Sequence, residues 1–195
     1  MGFVFGLAAH KIKERLDNGE TLRSDGFFAP DITGRSSADE VTEAVLIVAQ
    51  REYEERMLRY VSNILAYVAF TPGIDRATAN QLTRLAGSLS YQQIYILALG
   101  NNPTRPNLNL PGYPRGSGSG PLLLVILSDL FDLYHGLVMF QGTMGHITRP
   151  PTDARALPLQ NLELDRLGQS LYDAMSLNQV PKSDYALFID TLRSN

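Results

Sequence analysis

The 195-residue chain contains no cysteine, which excludes disulfides, thiolate metal sites and a cysteine nucleophile. Lysine is almost missing too: Lys11, Lys13 and Lys182 stand alone, and arginine supplies the other 14 of the 17 basic side chains. Arginine favours bidentate pairing with carboxylates, although genome base composition produces the same bias. A formal net charge of −3 leaves no global positive field to draw in nucleic acid or acidic lipid. Charged residues make up only 19% of the chain, while a hydrophobic content of 44% is ample for a core. Long apolar runs are absent. The two most apolar stretches are too short, or too interrupted by Asp129 and Asp132, to span a bilayer. The opening MGFVFGLAAHKIKERL puts its basic residues after its apolar ones, the reverse of a signal peptide. Gly6 stands where an N-myristoylation signal wants Ser or Thr. These absences point to a cytoplasmic protein.

Helical spacing dominates what remains. Phe3, Leu7, Ile12 and Leu16 predict a short amphipathic helix over residues 3–16. Residues 17–35 are rich in turn signals, including Asn18-Gly19, Ser24-Asp25-Gly26 and Thr33-Gly34. The expected organisation is therefore an N-terminal helix and extended arm over 1–36, followed by a helical domain over 37–195. Ser37-Ala38-Asp39-Glu40 reads as a capping box. From it, Val41, Val45, Val48, Tyr53, Met57, Tyr60, Ile64 and Val68 recur at helical spacing until Thr71-Pro72-Gly73. One uninterrupted helix there would be roughly 50 Å long, long enough to pack partly against a second chain. Asp75 and Ser90 are expected to cap two shorter helices, the second with Gln93 at the box position. Residues 100–120 then carry four prolines, five glycines and two isolated leucines, an unusually long connection.

Pro121 to Met139 is the most informative stretch. Leu127, Leu130, Phe131, Tyr134, Leu137 and Val138 are spaced three and four apart. Pro121 suits a first helical turn, His135-Gly136 suits its end, and Leu137 to Phe140 begins a strand. A broken strand pair follows, with Ala156-Leu157-Pro158-Leu159 as a proline-broken edge. A helix is expected over Asn161 to Met175, and a last short one after Ser183.

The run SDLFDLYHGLV, the broken strand pair and LPLQNLELDRLGQSLYDAM together resemble the second half of bacterial winged-helix repressors of the multiple-antibiotic-resistance type. Leu127, Leu130, Gly136, Leu137 and Val138 match the family's helix-to-wing pattern. Leu164, Gly168, Leu171 and Tyr172 match the helix start that follows the wing. The resemblance implies a degenerate winged-helix-like unit with a small β-hairpin wing; with the helical spacing it makes the expected fold mainly α, a helical domain with that unit and a long N-terminal helix. Three features depart from a DNA reader. About 20 residues replace the usual short turn before the recognition helix. That helix has no Lys or Arg, and it carries Asp129 and Asp132, which phosphate would repel. The basic candidates for nucleic acid are only His146, Arg149 and Arg155.

Other candidate chemistry reduces to structural readings. Gly116 to Gly120 precedes a helix, but no strand leads into it and no Gly-Lys-Ser/Thr follows, so it reads as a linker rather than a phosphate cradle. His10, His135 and His146 are scattered, without metal-ligand spacing. Asp129 and Asp132 read as a solvent face, or as partners for Arg149 or Arg155. The tyrosines Tyr53, Tyr60, Tyr67, Tyr91 and Tyr95 read as core. Leu108, Leu110 and Tyr113 are apolar anchors inside a turn-rich loop and are the candidate partner-binding residues. The expectation is a non-enzymatic regulatory or adaptor protein, a homodimer acting through protein contacts, with no catalytic residue, cofactor or metal. A DNA-binding regulator is the first alternative, and an enzyme or small-ligand binder the second.

Overall fold

The computed structural model describes residues 2–52, 54–102, 109–110, 121–134, 136–142, 145–147, 157–158, 161–184 and 186–193. In chain order these form α1 (Gly2–Asp17), α2 (Ser37–Arg51), α3 (Glu55–Phe70), α4 (Arg76–Ala86), α5 (Tyr91–Gly100), β1 (Asn109–Leu110) and α6 (Pro121–Tyr134). There follow β2 (Val138–Gly142), β3 (Gly145–Ile147), β4 (Leu157–Pro158), β5 (Leu162–Leu164), α7 (Arg166–Met175) and α8 (Ala186–Arg193). The fold is mainly α with a small antiparallel β component. None of the described helices is long and apolar enough to cross a membrane.

Helix starts follow the capping residues, with one shift in register. Asp75 accepts the Thr78 N–H ahead of α4, and Ser90 and Gln93 form the expected box ahead of α5. At α2 the cap is Ser36 rather than Ser37. Ser36 Oγ takes the Asp39 N–H at 3.1 Å, and the Asp39 carboxylate takes the Ser36 N–H at 2.8 Å. Asp39 stands three residues after Ser36, the box spacing, and so replaces Glu40 as the closing partner.

The single helix expected from 37 to 70 is two helices. Glu52 (φ −77, ψ 123) ends α2 and Glu54 (φ −94, ψ 103) precedes α3, both in extended backbone. No glycine or proline forces this break. Folding back instead lets Val41 and Val45 of α2 and Met57, Tyr60 and Ile64 of α3 bury together, as their near-zero exposure shows. A straight rod would leave those stripes in water, at about 1.5–3 kcal/mol per large side chain. Tertiary burial therefore overrides local helix propensity.

Packing divides the chain into two compact units: Met1–Leu89 with Asp173–Ser176, and Ser90–Tyr172 with Leu177–Asn195. This does not coincide with the division at residue 36 drawn from composition, because the arm is fastened to α3. Arg23, 8% exposed, donates to the carbonyls of Val68 at 3.2 Å and Ile74 at 2.8 Å, and its own N–H bonds Ala69 O at 3.0 Å. Asp25 neutralises it through a two-point pair, and its guanidinium lies 4.4 Å from the Phe27 ring centre. Within this unit α1 packs on α3, and α2 packs on α3 and α4. Arg76 pairs with Glu40 near the starts of α4 and α2, and Gly87 meets Val48 near their ends, so these two helices run parallel. The inward residues of α1 are Val4 and Ala8, whereas Phe3 and Leu16, expected on the packed side, are exposed.

In the second unit, α6 buries Ile126, Leu130 and Leu133. It ends at Tyr134, Gly136 follows with a φ of +130 that suits glycine, and two residues after Gly136 the chain enters β2. β2 is the centre of a three-stranded antiparallel sheet ordered β3-β2-β5, with Phe140 opposite Ile147 on one side and Leu162 on the other. Two expectations change here. Leu162–Leu164 is a strand rather than the start of a helix, because its backbone pairs with Val138–Phe140. Leu157–Pro158 pairs not with the wing but with Asn109–Leu110. α7 begins after Asp165, whose Oδ1 accepts the Gly168 N–H at 2.7 Å. A Cβ on Gly168 would lie 1.9 Å from the Leu137 carbonyl oxygen, so this glycine of the family-like pattern is required by close approach of strand entry and helix.

Candidate functional site

Of the partner-binding residues expected from sequence, only Leu110 falls among the described residues. Leu110 pairs through its backbone with Leu157 in the β1–β4 ladder, while Leu108 and Tyr113 lie outside the described residues. Of the nucleic-acid candidates, His146 sits on β3 opposite Gln141, and Arg149 and Arg155 lie outside the described residues. The Gly116–Gly120 run and His135 also lie outside them.

The α6 carboxylates divide. Asp132 is exposed, but Asp129 is half-buried and accepts hydrogen bonds from the side chains of Ser90 and Gln93. Those two side chains already cap α5: Ser90 Oγ takes the Gln93 N–H at 3.1 Å, and Gln93 Oε1 takes the Ser90 N–H at 3.0 Å. Asp129 receives their remaining donors, so it ties α6 to the start of α5 rather than lining a solvent face. Burial raises its pKa above the ordinary carboxylate value, the nearby Asp132 raises it further, and the two hydrogen bonds oppose both. Tyr91, by contrast, is core as expected, its hydroxyl donating to Asp184 Oδ2 at 2.7 Å.

In the first unit, a polar cleft of about 260 Å³ is lined by Lys11, Arg15, Asn63 and Tyr67. Its cations are already matched, Lys11 by Glu14 at 3.0 Å and Arg15 by Glu20. Tyr67 sits there with its pKa raised, first by burial and then by Asp173. Among the described residues no three His, Asp or Glu side chains converge as a metal site requires.

An exposed apolar surface lies on α1 and α2. Phe3 is 57% exposed, Phe5 56% and Ile47 41%. Phe5 and Ile47 border a shallow depression of about 440 Å³ together with Asp39, Glu43 and Leu46. Its two carboxylates are occupied. Asp39 closes the Ser36 cap, which holds its pKa low, and Glu43 pairs with Arg35. Ile47 also borders a second depression, of about 410 Å³, between α2 and α4, with Val48, Arg51, Asn80 and Arg84. There Asn80 Oδ1 is enclosed without a hydrogen-bond partner. The available recognition elements on this surface are thus the Phe5 ring and the aliphatic side chains of Leu46, Ile47 and Val48. Sequence reasoning placed Phe3 on the packed side of α1 and did not single out Phe5. The signal that could have found them is Val4 and Ala8, whose small side chains suit a close helix contact that turns their neighbours outward. No protein-family model matches this chain, and no curated protein or solved structure is significantly similar to it.

Proposed function

We propose that this protein is a non-enzymatic regulatory or adaptor protein that works in the cytoplasm, as a homodimer, through protein–protein contacts on a winged-helix-like scaffold. The observation that carries this reading is the exposed apolar surface of Phe5 and Ile47, beside carboxylates that are already paired. Exposed aromatic rings bordered by engaged polar groups are characteristic of the centres of protein contacts. The scaffold half of the reading is supported by the abrupt passage from α6 through Gly136 into β2. The acidic α6 argues against a DNA-reading role: phosphate contacts require cations, and Asp132 is exposed on this helix.

The test uses the full chain as bait against native-host extract, compared with a Phe5→Ser/Ile47→Ser variant of equal helicity. The expected result is a specific bound protein that the variant loses. An identical set of bound proteins would overturn the assignment to this surface. A salt-dependent mobility shift of duplex DNA would transfer the function to transcriptional regulation.

A further inference from the structure

We infer that the exposed face of α2 is a two-fold interface for a second copy of this chain, in which the two α2 helices cross antiparallel with Ile47 beside its counterpart. The occupant of the Phe5–Ile47 surface is then another copy, which rests on the homodimer half of the functional reading and deepens it. Residues four apart on a helix align as a ridge. On α2 one such ridge is Asp39, Glu43, Ile47 and Arg51. All four are exposed, whereas Val41 and Val45 of the same helix are buried. The neighbouring ridge is Thr42, Leu46 and Gln50. The depression of about 440 Å³ lies between these two ridges and is bordered by Phe5 of α1. It is a groove of the shape that receives a helix ridge, and four-apart ridges seated in four-apart grooves are the commonest helix crossing in globular proteins.

The order of charge along the ridge identifies the occupant. Glu43 and Arg51 stand four positions before and four positions after Ile47. A two-fold axis beside Ile47 therefore sets Glu43 of each copy against Arg51 of the other, with the two Ile47 side chains between these pairs. Both groups can make the contact. Arg51 has no acidic partner among the described residues. Glu43 receives Arg35 on Oε2 alone, which leaves Oε1 open to a second guanidinium. A parallel crossing would set Glu43 on Glu43 and Arg51 on Arg51, so charge selects the direction as well as the partner.

The test follows the full chain by sedimentation over a concentration series. The parent should form a reversible dimer. Glu43→Arg or Arg51→Glu alone replaces two opposite-charge pairs with two like-charge pairs, and each should weaken association by roughly 10- to 100-fold. Mixed in equal amounts, the two variants regain both opposite-charge pairs and should associate with each other about as the parent does. Because both positions are exposed, the melting midpoint of each variant should stay at the parent's value. A second measurement uses Ile47→Cys, the only thiol in this cysteine-free chain. Mild oxidation should link it into a covalent dimer, and adding Glu43→Arg should suppress the link.

A parent dimer that neither single variant weakens, or that Ile47→Cys fails to link, would overturn this interface while sparing a homodimer built on other faces. Weakened variants that do not recover on mixing would overturn the antiparallel pairing. A parent that stays monomeric up to its solubility limit would overturn the interface and the homodimer together, and would leave the adaptor reading to the capture experiment.

Discussion

Replacing Gly168 by alanine is the sharpest probe of the second unit. The added Cβ would stand 1.9 Å from the Leu137 carbonyl oxygen and 2.9 Å from its carbon, where ordinary contacts are well over 3 Å. Backbone cannot rotate away as a flexible side chain can, so either α7 or the entry to β2 must move by about 1.5 Å. That movement strains packing, at a cost of about 1–3 kcal/mol or more. It also stretches the Asp165 N–H to Leu137 O bond, now 3.1 Å, which is worth about 1 kcal/mol. Alanine's better helix propensity returns about 1 kcal/mol. The net expectation is destabilisation by about 1–3 kcal/mol, read as a loss of urea stability and a fall in melting midpoint of roughly 2–12 °C. Gly6→Ala is the matched control. Gly6 lies inside α1 with nothing within 4 Å of an added Cβ, so the same substitution should stabilise there by about 0.5–1 kcal/mol. A Gly168→Ala protein as stable as the parent would refute the close approach and with it the described junction of β2 and α7.

Asp129→Ala should cost about 1–3 kcal/mol, because it strands the Ser90 hydroxyl and the buried Gln93 amide without their shared acceptor. Asp129→Asn should be neutral or stabilising at pH 7, since it keeps an acceptor and removes the desolvated charge; equal damage from both variants would disprove the shared-acceptor role. Because the folded pKa of Asp129 lies above its unfolded value, its contribution favours the folded state at acid pH. That contribution declines as pH rises from the ordinary carboxylate value through the raised one, so Asp129→Asn should flatten this part of a stability–pH curve. Asp25 has the opposite sign. Hydrogen bonding from Arg23 lowers it to about 2, so its contribution is complete above the ordinary value of 3.8 and is lost as pH falls towards 2. Asp25→Asn should remove that acid-limb loss in pH-dependent urea titrations. Phe5→Ser should leave the melting midpoint within about 1–2 °C, since the ring is 56% exposed and contributes little burial; a large drop would place it in the core.

Residue chemistry that acts over three or four positions was legible in the chain itself. Asp75 and the Ser90–Gln93 box mark helix starts because their side chains answer N–H groups within their own first turn. Gly136 marks a stop because only glycine takes φ +130 without penalty. The mainly α class followed from the same local periodicity. Partners distant in sequence decided the rest. The break between α2 and α3 exists because folding α2 back onto α3 and α4 buries two apolar stripes, a gain invisible to the helix-forming glutamates on either side. Leu162–Leu164 became a strand because β2 stands ready to pair with it. Asp129 became a tie because α5's cap lies beside it, and Phe5 became surface because Val4 and Ala8 let α1 sit close on α3. Local hydrogen bonding and backbone freedom are properties of a short segment and can be read from it, whereas burial belongs to whichever surfaces meet, and only the folded chain determines which do.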